Sequence, residues 1–168
     1  MECPICEHEN RPGAYQCELC LMSFHTGATP LDDDTQHSAL CDAVDTVAQP
    51  DSPCLNEGAS LQEVVQILAT GSADCVLVTD PAGQLTGILS ERDILNKVAG
   101  LGVDLESALV EHYMTPCPDT VSPDASLTRA LQRMQIGGFR HLPLVDALGR
   151  PTGIVTSRDI VDHVAASL

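Results

Sequence analysis

The chain has 168 residues and a formal net charge of −16, from 24 acidic and eight basic side chains, and Lys97 is its only lysine. A surface with this charge repels phosphate backbones, which disfavours binding of nucleic acid or an anionic membrane by the whole chain. Apolar residues make up 43% of the sequence and aromatic residues only 2%, so we expect one or two modest domains with an aliphatic core.

The N-terminal sequence has neither the basic start nor the apolar segment of a secretory signal peptide. No apolar run approaches the roughly 20 residues that span a membrane. We therefore expect a soluble cytoplasmic protein, whose eight cysteines are reduced thiols or metal ligands rather than disulfides.

Residues 1–26 form a cysteine-rich head. Cys3 and Cys6, followed by Cys17 and Cys20, make two CxxC motifs with ten residues between them. Four thiolates in two such turns coordinate a metal tetrahedrally, so the head resembles a short zinc ribbon with a structural Zn²⁺. Metal binding would supply the folding free energy of a segment that has almost no core. A rubredoxin-like iron site and free thiols are the alternatives.

The charge of this head indicates which class of macromolecule it binds. It carries four glutamates against Arg11 alone. Zinc ribbons bind nucleic acid or protein, and this charge favours a protein. A DNA-binding transcription regulator stays an alternative, for which steep salt dependence of DNA binding would be the signature.

Residues 27–53 contain six aspartates and neither lysine nor arginine. Such a segment buries too little apolar surface to offset its ordering entropy, so we expect an acidic flexible linker. Within it, Leu40, Val44 and Val47 have helical spacing and predict a short amphipathic helix over 38–47.

The remainder of the chain contains the same unit twice, offset by 66 residues without a gap. Residues 87–94 recur as 153–160, and most non-identical pairs exchange one aliphatic residue for another. A gapless repeat predicts two copies of one supersecondary unit, related by an approximate two-fold axis. The seam between two such copies is a place where a small molecule can bind.

Each copy predicts a helix, a strand, a turn, a second strand and a second helix. The first helix begins at Ser60 or Ser126 as N-cap and ends at Gly71 or Gly137. The predicted strands and final helices cover 75–79, 85–89 and 91–99 in the first copy, and 141–145, 152–155 and 157–166 in the second. A short lead-in strand is predicted near residues 54–55 and 120–121.

The second copy carries several motifs that resemble the cystathionine-β-synthase (CBS) domain. These motifs lie at 113–116, 120–127, 139–146 and 153–160. Residues 55–98 share fewer of them, and together the two copies resemble a CBS pair, or Bateman module. The resemblance implies a mixed α/β (α+β) fold of tandem repeats, each β-α-β-β-α, at 54–112 and 113–168.

CBS pairs bind adenosyl nucleotides such as AMP, ADP, ATP or S-adenosylmethionine between their repeats, and they commonly regulate another protein as homodimers. The resemblance therefore implies a nucleotide site in this chain. By resemblance, Asp159 and Asp93 bind ribose, Thr156 and Ser90 lie near ribose or phosphate, and Thr120 and Val121 contact adenine mainly through the backbone.

The residues themselves allow this chemistry. A hydroxyl and an Asp three residues apart face the same way at a helix start, where free amides bind phosphate. Arg158 or Arg140 can neutralise phosphate, and His141 can contact it. However, the same spacing also makes a capping box. Arg140 also fits a solvated charge and His141 a polar strand edge, so both interpretations stay open.

The two copies differ beside this motif. The second has Arg140 and His141 where the first has Asp74 and Cys75. A carboxylate near a phosphate opposes binding, so if one cleft is occupied we expect the one that uses Asp159.

The chain has no Walker loop, Gly-rich dinucleotide motif, HExxH or GxSxG. We therefore predict a regulator rather than an enzyme, and interpret Glu91, Asp124 and His163 as solvated. The alternative from another class is a protein–protein adaptor whose CBS pair is a dimerisation platform with vestigial clefts.

Overall fold

The computed structural model describes residues 2–3, 6–11, 17–19 and 39–167. Within the first repeat, strand β1 (Cys54–Asn56) precedes α1 (Leu61–Ala69), β2 (Cys75–Thr79), β3 (Leu85–Ser90) and α2 (Glu91–Lys97). A short strand β4 (Thr115–Pro116) leads to α3 (Leu127–Gly137), β5 (His141–Val145), β6 (Pro151–Thr156) and α4 (Ser157–Ala166). Single-turn 3₁₀ helices cover Val44–Thr46 and Val110–His112. The predicted order of helices and hairpin strands is therefore confirmed in both repeats, whereas the lead-in strand predicted near residues 120–121 is only an isolated bridge between Val121 and Leu144.

The first sheet has the strand order β1-β2-β3-β4, and β5 and β6 pair in a second sheet. Strand β2 is parallel to β1 and antiparallel to β3. Val76 and Val78 of β2 pack in a cluster with Leu61 of α1. Cys75 and Leu77 pack in a different cluster, with Ile154. Because both faces of β2 are buried, its sequence is a continuous apolar run rather than an alternating one.

Hydroxyl caps begin the long helices, as predicted. The Ser60 hydroxyl accepts from the Glu63 amide while the Glu63 carboxylate accepts from the Ser60 amide, a complete capping box. Ser126 caps α3 by accepting from the amide of Arg129. Gly138 ends α3 with a φ of 68°, a left-handed conformation that glycine adopts without strain.

The chain divides into two compact units that do not follow the repeat boundary. One contains the described residues up to Ala48, together with Pro123–Leu142 and the chain from Val155. The other contains Gln49–Ser122 and Pro143–Ile154. The second unit therefore takes residues from both repeats, whereas the first takes its repeat residues from 113–168 alone.

Residues 39–48, here named the strap, lie in the second half of the predicted linker. Residues 39–41 are helical, and Val44 is fully buried. The Val44 amide donates to the carbonyl of Ala125 at 2.8 Å, and the Leu127 amide donates to the carbonyl of Asp42 at 3.0 Å. The strap is thus bound by backbone hydrogen bonds to the start of α3, and its helical residues are interrupted where the sequence predicts one helix.

The segments that lead into the two repeats are exchanged. Thr115 of β4 pairs with Ile88 of β3. Gln49 pairs with Ile154 of β6, donating at 2.8 Å and accepting at 3.1 Å. Thr115 and Gln49 are 66 residues apart, as are Ile154 and Ile88. Each lead-in segment therefore pairs with the second hairpin strand of the opposite repeat. A Cβ at Gly153 would lie 2.9 Å from the Gln49 carbonyl oxygen, so this pairing requires glycine there.

Candidate functional site

Thr156 and Asp159 form the N-terminal cap of α4. The amide and the hydroxyl of Thr156 both donate to Oδ2 of Asp159, each at 2.7 Å. The Asp159 amide donates to the Thr156 hydroxyl at 3.2 Å. The capping interpretation of this motif is therefore confirmed. The cap places the half-buried side chains of Thr156 and Asp159 together at the positive end of a ten-residue helix.

Two arginines lie near the same helix end. The carbonyl of Arg140 accepts from the amide of Ser157, the first residue of α4, at 3.0 Å. The side chain of Arg140 is exposed, as is that of Arg158. Nε of Arg158 lies 3.8 Å from Oδ2 of Asp162, and because both side chains are mostly exposed this pair is weak. Next to Arg140, His141 opens β5 and is half-buried.

Thr120 and Val121 belong to the other unit. Val121 is buried, and its amide donates to the carbonyl of Pro143 at 3.0 Å. Its carbonyl accepts from the amide of Val145 at the same distance. The amide and the carbonyl of Val121 thus both bond to β5, and Thr120 is half-buried.

The first repeat has the same cap with one addition. Oδ2 of Asp93 accepts from the amide and the hydroxyl of Ser90, at 3.0 and 2.7 Å. The other oxygen, Oδ1, lies 2.9 Å from Nζ of Lys97, which also donates to the carbonyl of Tyr113 at 2.8 Å. Partial burial raises the pKa of Asp93, but hydrogen bonds from Lys97 and Ser90, with the charge of Lys97, outweigh it and lower the pKa.

This lowered pKa predicts a pH-dependent contribution of Asp93 to stability. A carboxylate with a depressed folded-state pKa stabilises the fold above its unfolded pKa, and this contribution is lost as pH falls through the folded value. We expect the stability difference between the wild type and Asp93→Asn to be constant near neutral pH and to shrink below about pH 4. Urea unfolding of both proteins at several pH values measures it. A difference that stays the same down to about pH 2 would contradict the assignment.

His163 occupies the position in α4 that Lys97 occupies in α2, 66 residues earlier. Its Nε2 lies 2.8 Å from Oδ2 of Asp42 in the strap, and its side chain is only 26% exposed. The interpretation of His163 as a solvated residue was therefore wrong. Asp42 is 121 residues away along the chain, and no local pattern indicates this contact.

Three of the four predicted metal-binding cysteines lie together. The sulfur atoms of Cys3, Cys6 and Cys17 all lie within 4.8 Å of one another, and all three residues are buried. The Sγ atoms of Cys6 and Cys17 are 3.5 Å apart. The fourth predicted ligand, Cys20, lies outside the described residues. A buried thiol cluster of this size suits Zn²⁺, which takes sulfur ligands tetrahedrally.

Asn10 supports this cluster and was not identified from the sequence. It is buried, and its Nδ2 contacts Sγ of Cys17 at 3.6 Å and donates to the carbonyl of His8 at 2.8 Å. Its Oδ1 accepts from the amide of Glu18 at 2.8 Å. Asn10 thus joins the two CxxC segments and stabilises negative charge on sulfur. Glu7, beside Cys6, pairs with Arg129 of α3.

The profile of the CBS domain matches residues 44–100 and 110–166. The chain belongs to the CBS domain family. The match includes both repeats and begins within the strap. The fold is therefore the mixed α+β fold of a tandem CBS pair, as the sequence predicts.

Known CBS proteins resemble this one over most of the pair. The CBS domain-containing protein CBSCBSPB2 of Arabidopsis thaliana is 38% identical over 92 residues, which are 55% of this chain and 17% of that relative. The structure of CBSX2 in complex with AMP is 25% identical with a TM-score of 0.64, and the alignment covers 74% of this chain and 97% of that one. The cytosolic domain of the Mg²⁺ channel MgtE in complex with ATP is 28% identical with a TM-score of 0.61, with coverages of 76% and 52%.

This chain therefore spans only about a sixth of the plant relative. No helix in the described part of the chain combines the length and hydrophobicity needed to cross a bilayer.

Proposed function

We propose that this CBS protein is a cytoplasmic, non-catalytic regulator that binds an adenosyl nucleotide at its second repeat. AMP, ADP, ATP and S-adenosylmethionine share the adenosine group that such a site would recognise. The protein acts as a homodimer and transmits binding to a protein partner. Transmission requires the nucleotide to favour one arrangement of the module over another.

The observation that carries this proposal is the start of α4. There the hydroxyl of Thr156 and the carboxylate of Asp159 lie together, with Arg140 bonded to the same helix turn through its carbonyl. A carboxylate can accept the hydroxyls of ribose, and helix amides with arginines can bind phosphate. The AMP and ATP found in two structurally similar CBS proteins support the same ligand class.

We propose that the head, residues 1–26, is a zinc ribbon in which Cys20 completes a tetrahedral site with the three clustered cysteines. Four sulfur ligands leave no open position, so the metal is structural. The head is connected by the linker 27–53, part of which forms the strap, to repeats at 54–112 and 113–168. Its acidic surface favours a protein partner over nucleic acid.

The second candidate is a constitutive adaptor, in which the CBS pair only assembles proteins. The capping boxes favour this candidate, because Oδ2 of Asp159 and Oδ2 of Asp93 are already bonded within their own helices. In this case the motif is retained for helix stability alone.

Calorimetric titration with AMP, ADP, ATP and S-adenosylmethionine separates the candidates. We expect one of them to bind, and Asp159→Asn to weaken binding at least tenfold, since the uncharged amide is a poorer acceptor for ribose hydroxyls (about 1.4 kcal/mol or more).

Glu63→Gln is the matched control for Asp159→Asn, because Glu63 closes the capping box of α1. It should weaken a helix cap by the same chemistry without changing nucleotide affinity. If none of the four ligands binds at millimolar concentration, the adaptor is the better description. If one of them binds and Asp159→Asn does not weaken it, the site does not use Asp159.

A further inference from the structure

We propose that the metal-loaded head docks on the first turn of α3 through Glu7 and Arg129, so that metal binding in the head and attachment of the strap to this turn reinforce each other. The inference rests on the metal site of the proposed function and does not depend on the nucleotide. It makes metal occupancy of the head a second input to the repeat that contains α3.

Arg129 occupies a position of α3 where local interactions favour a carboxylate. The equivalent residue of the first repeat, 66 positions earlier, is Glu63, which accepts from the Ser60 amide and completes the capping box of α1. A guanidinium has no acceptor for such a bond, and its positive charge is unfavourable in the first turn of a helix. The charge of Arg129 therefore does not serve the helix that carries it.

Glu7 also opposes the preference of its own segment. It follows Cys6 directly, and its φ of 57° lies in the left-handed region, which glycine adopts more easily than glutamate. Its amide donates to the carbonyl of Cys3 at 2.9 Å, so the first CxxC segment holds Glu7 in this conformation. A strained residue of this kind indicates a role for its side chain outside its own turn.

The two side chains pair with each other. The carboxylate of Glu7 forms an ion pair with the guanidinium of Arg129, so each charge has the partner that its own segment does not favour. The side chains of Arg129 and Glu7 are 35% and 65% exposed, which makes the pair a modest interaction. The described residues of the head, the strap and α3 belong to one compact unit, so this pair joins parts of the same unit.

The strap binds the same turn of α3. The Leu127 amide donates to the carbonyl of Asp42, and the Thr128 hydroxyl donates to the carbonyl of Leu40, both at 3.0 Å. Three consecutive residues, 127–129, therefore bond to segments that precede the repeats. Because the head and the strap order the same turn, binding of one reduces the entropy that the other must lose.

Amide hydrogen exchange of the zinc-loaded protein, before and after chelation, tests the inference. In the wild type, chelation should speed exchange of the Val44 and Leu127 amides about two- to fivefold, the effect of one partly exposed ion pair. Arg129→Glu removes the pair and restores the capping sequence of the first repeat, so this variant should fold and retain zinc. Its two amides should exchange fast before chelation and change no further.

Two controls separate the ion pair from a general effect of charge. Glu7→Arg combined with Arg129→Glu restores a pair of opposite polarity, and should recover slow exchange and the response to chelation. Arg92→Glu changes the charge of an exposed arginine in α2 by the same amount, and both amides should exchange as in the wild type.

Each outcome has a separate meaning. Unchanged exchange when the wild type loses zinc, or an Arg129→Glu protein that responds as the wild type does, would overturn the inference. Fast exchange in the charge-exchanged protein would also overturn it, because the effect of Arg129→Glu would then not come from the pair. A wild type that binds no zinc would reject the proposed metal site, and the inference with it.

Discussion

Chelation of zinc is expected to unfold the cysteine head of the metal-loaded protein and to leave the CBS repeats folded. In its described part the head buries Cys3, Cys6, Cys17 and Asn10. A segment this short rarely forms a core that folds without metal. Structural zinc contributes roughly 10–16 kcal/mol to the folding of comparable small sites. After addition of a chelator, amide signals of the head should collapse in a ¹H–¹⁵N spectrum, while those of the repeats stay dispersed.

Cys17→Ser and Cys41→Ser make a matched pair for this experiment. Cys17 is buried in the cluster, whereas Cys41 is an exposed thiol of the strap. We expect the first variant to lose metal, measured by elemental analysis, and the second to retain one equivalent. Retention by Cys17→Ser would contradict the site, and iron in place of zinc would support the rubredoxin-like alternative.

Val44→Asp is expected to destabilise the protein by about 4 kcal/mol or more, because it places an unpaired charge at a fully buried position. Val44 lies in the strap, which the sequence composition alone assigns to a flexible linker. The effect would therefore show that the strap is part of the folded core. Urea unfolding followed by circular dichroism measures it.

The adjacent residue provides the control for this prediction. Asp45 is exposed, although its amide donates to the carbonyl of Pro123 at 3.1 Å. Asp45→Asn keeps this backbone bond and should change stability by less than about 0.5 kcal/mol. Equal effects of Val44→Asp and Asp45→Asn would mean that the strap contributes little to stability.

Local patterns predict most of the two repeats. Apolar periodicity and the hydroxyl caps Ser60, Ser126 and Thr156 indicate the starts of α1, α3 and α4, and the apolar run of β2 matches a strand buried on both faces. The end of α2 differs, since it stops at Lys97 rather than at 99. The gapless repeat also predicts that the two copies have the same fold, because their residues align with equal spacing.

Local patterns do not predict contacts between segments that are distant in the sequence. The acidic composition of residues 27–53 indicates a flexible linker, but the amides of Val44 and Asp45 donate to carbonyls about 80 positions later in the chain. The pairing of His163 with Asp42 is equally distant. In the head, the CxxC spacing indicates the ligands, but the bonds of Asn10 to both segments depend on a turn that spacing does not define.

At the candidate site, the sequence indicates the motif but does not show which groups bond to its hydroxyl and carboxylate. Capping boxes and ribose-binding carboxylates have the same spacing, and only geometry shows that Ser90 and Thr156 cap their helices. The pair Asp93–Lys97 has i, i+4 spacing, which favours a bond on a helix. The second anchor of Lys97, the carbonyl of Tyr113, lies beyond any local rule.

The exchanged lead-in segments have a consequence for the order in which this protein assembles. Gln49 and Ile154 are separated by 105 positions, so their pairing must wait until nearly the whole pair has been synthesised. Contacts over such distances carry a large loop-closure entropy and slow the folding reaction. A ribosome-bound chain that ends before β6 would leave Gln49 without its strand. A fragment that begins at residue 54, the apparent start of the repeats, would lack this segment permanently.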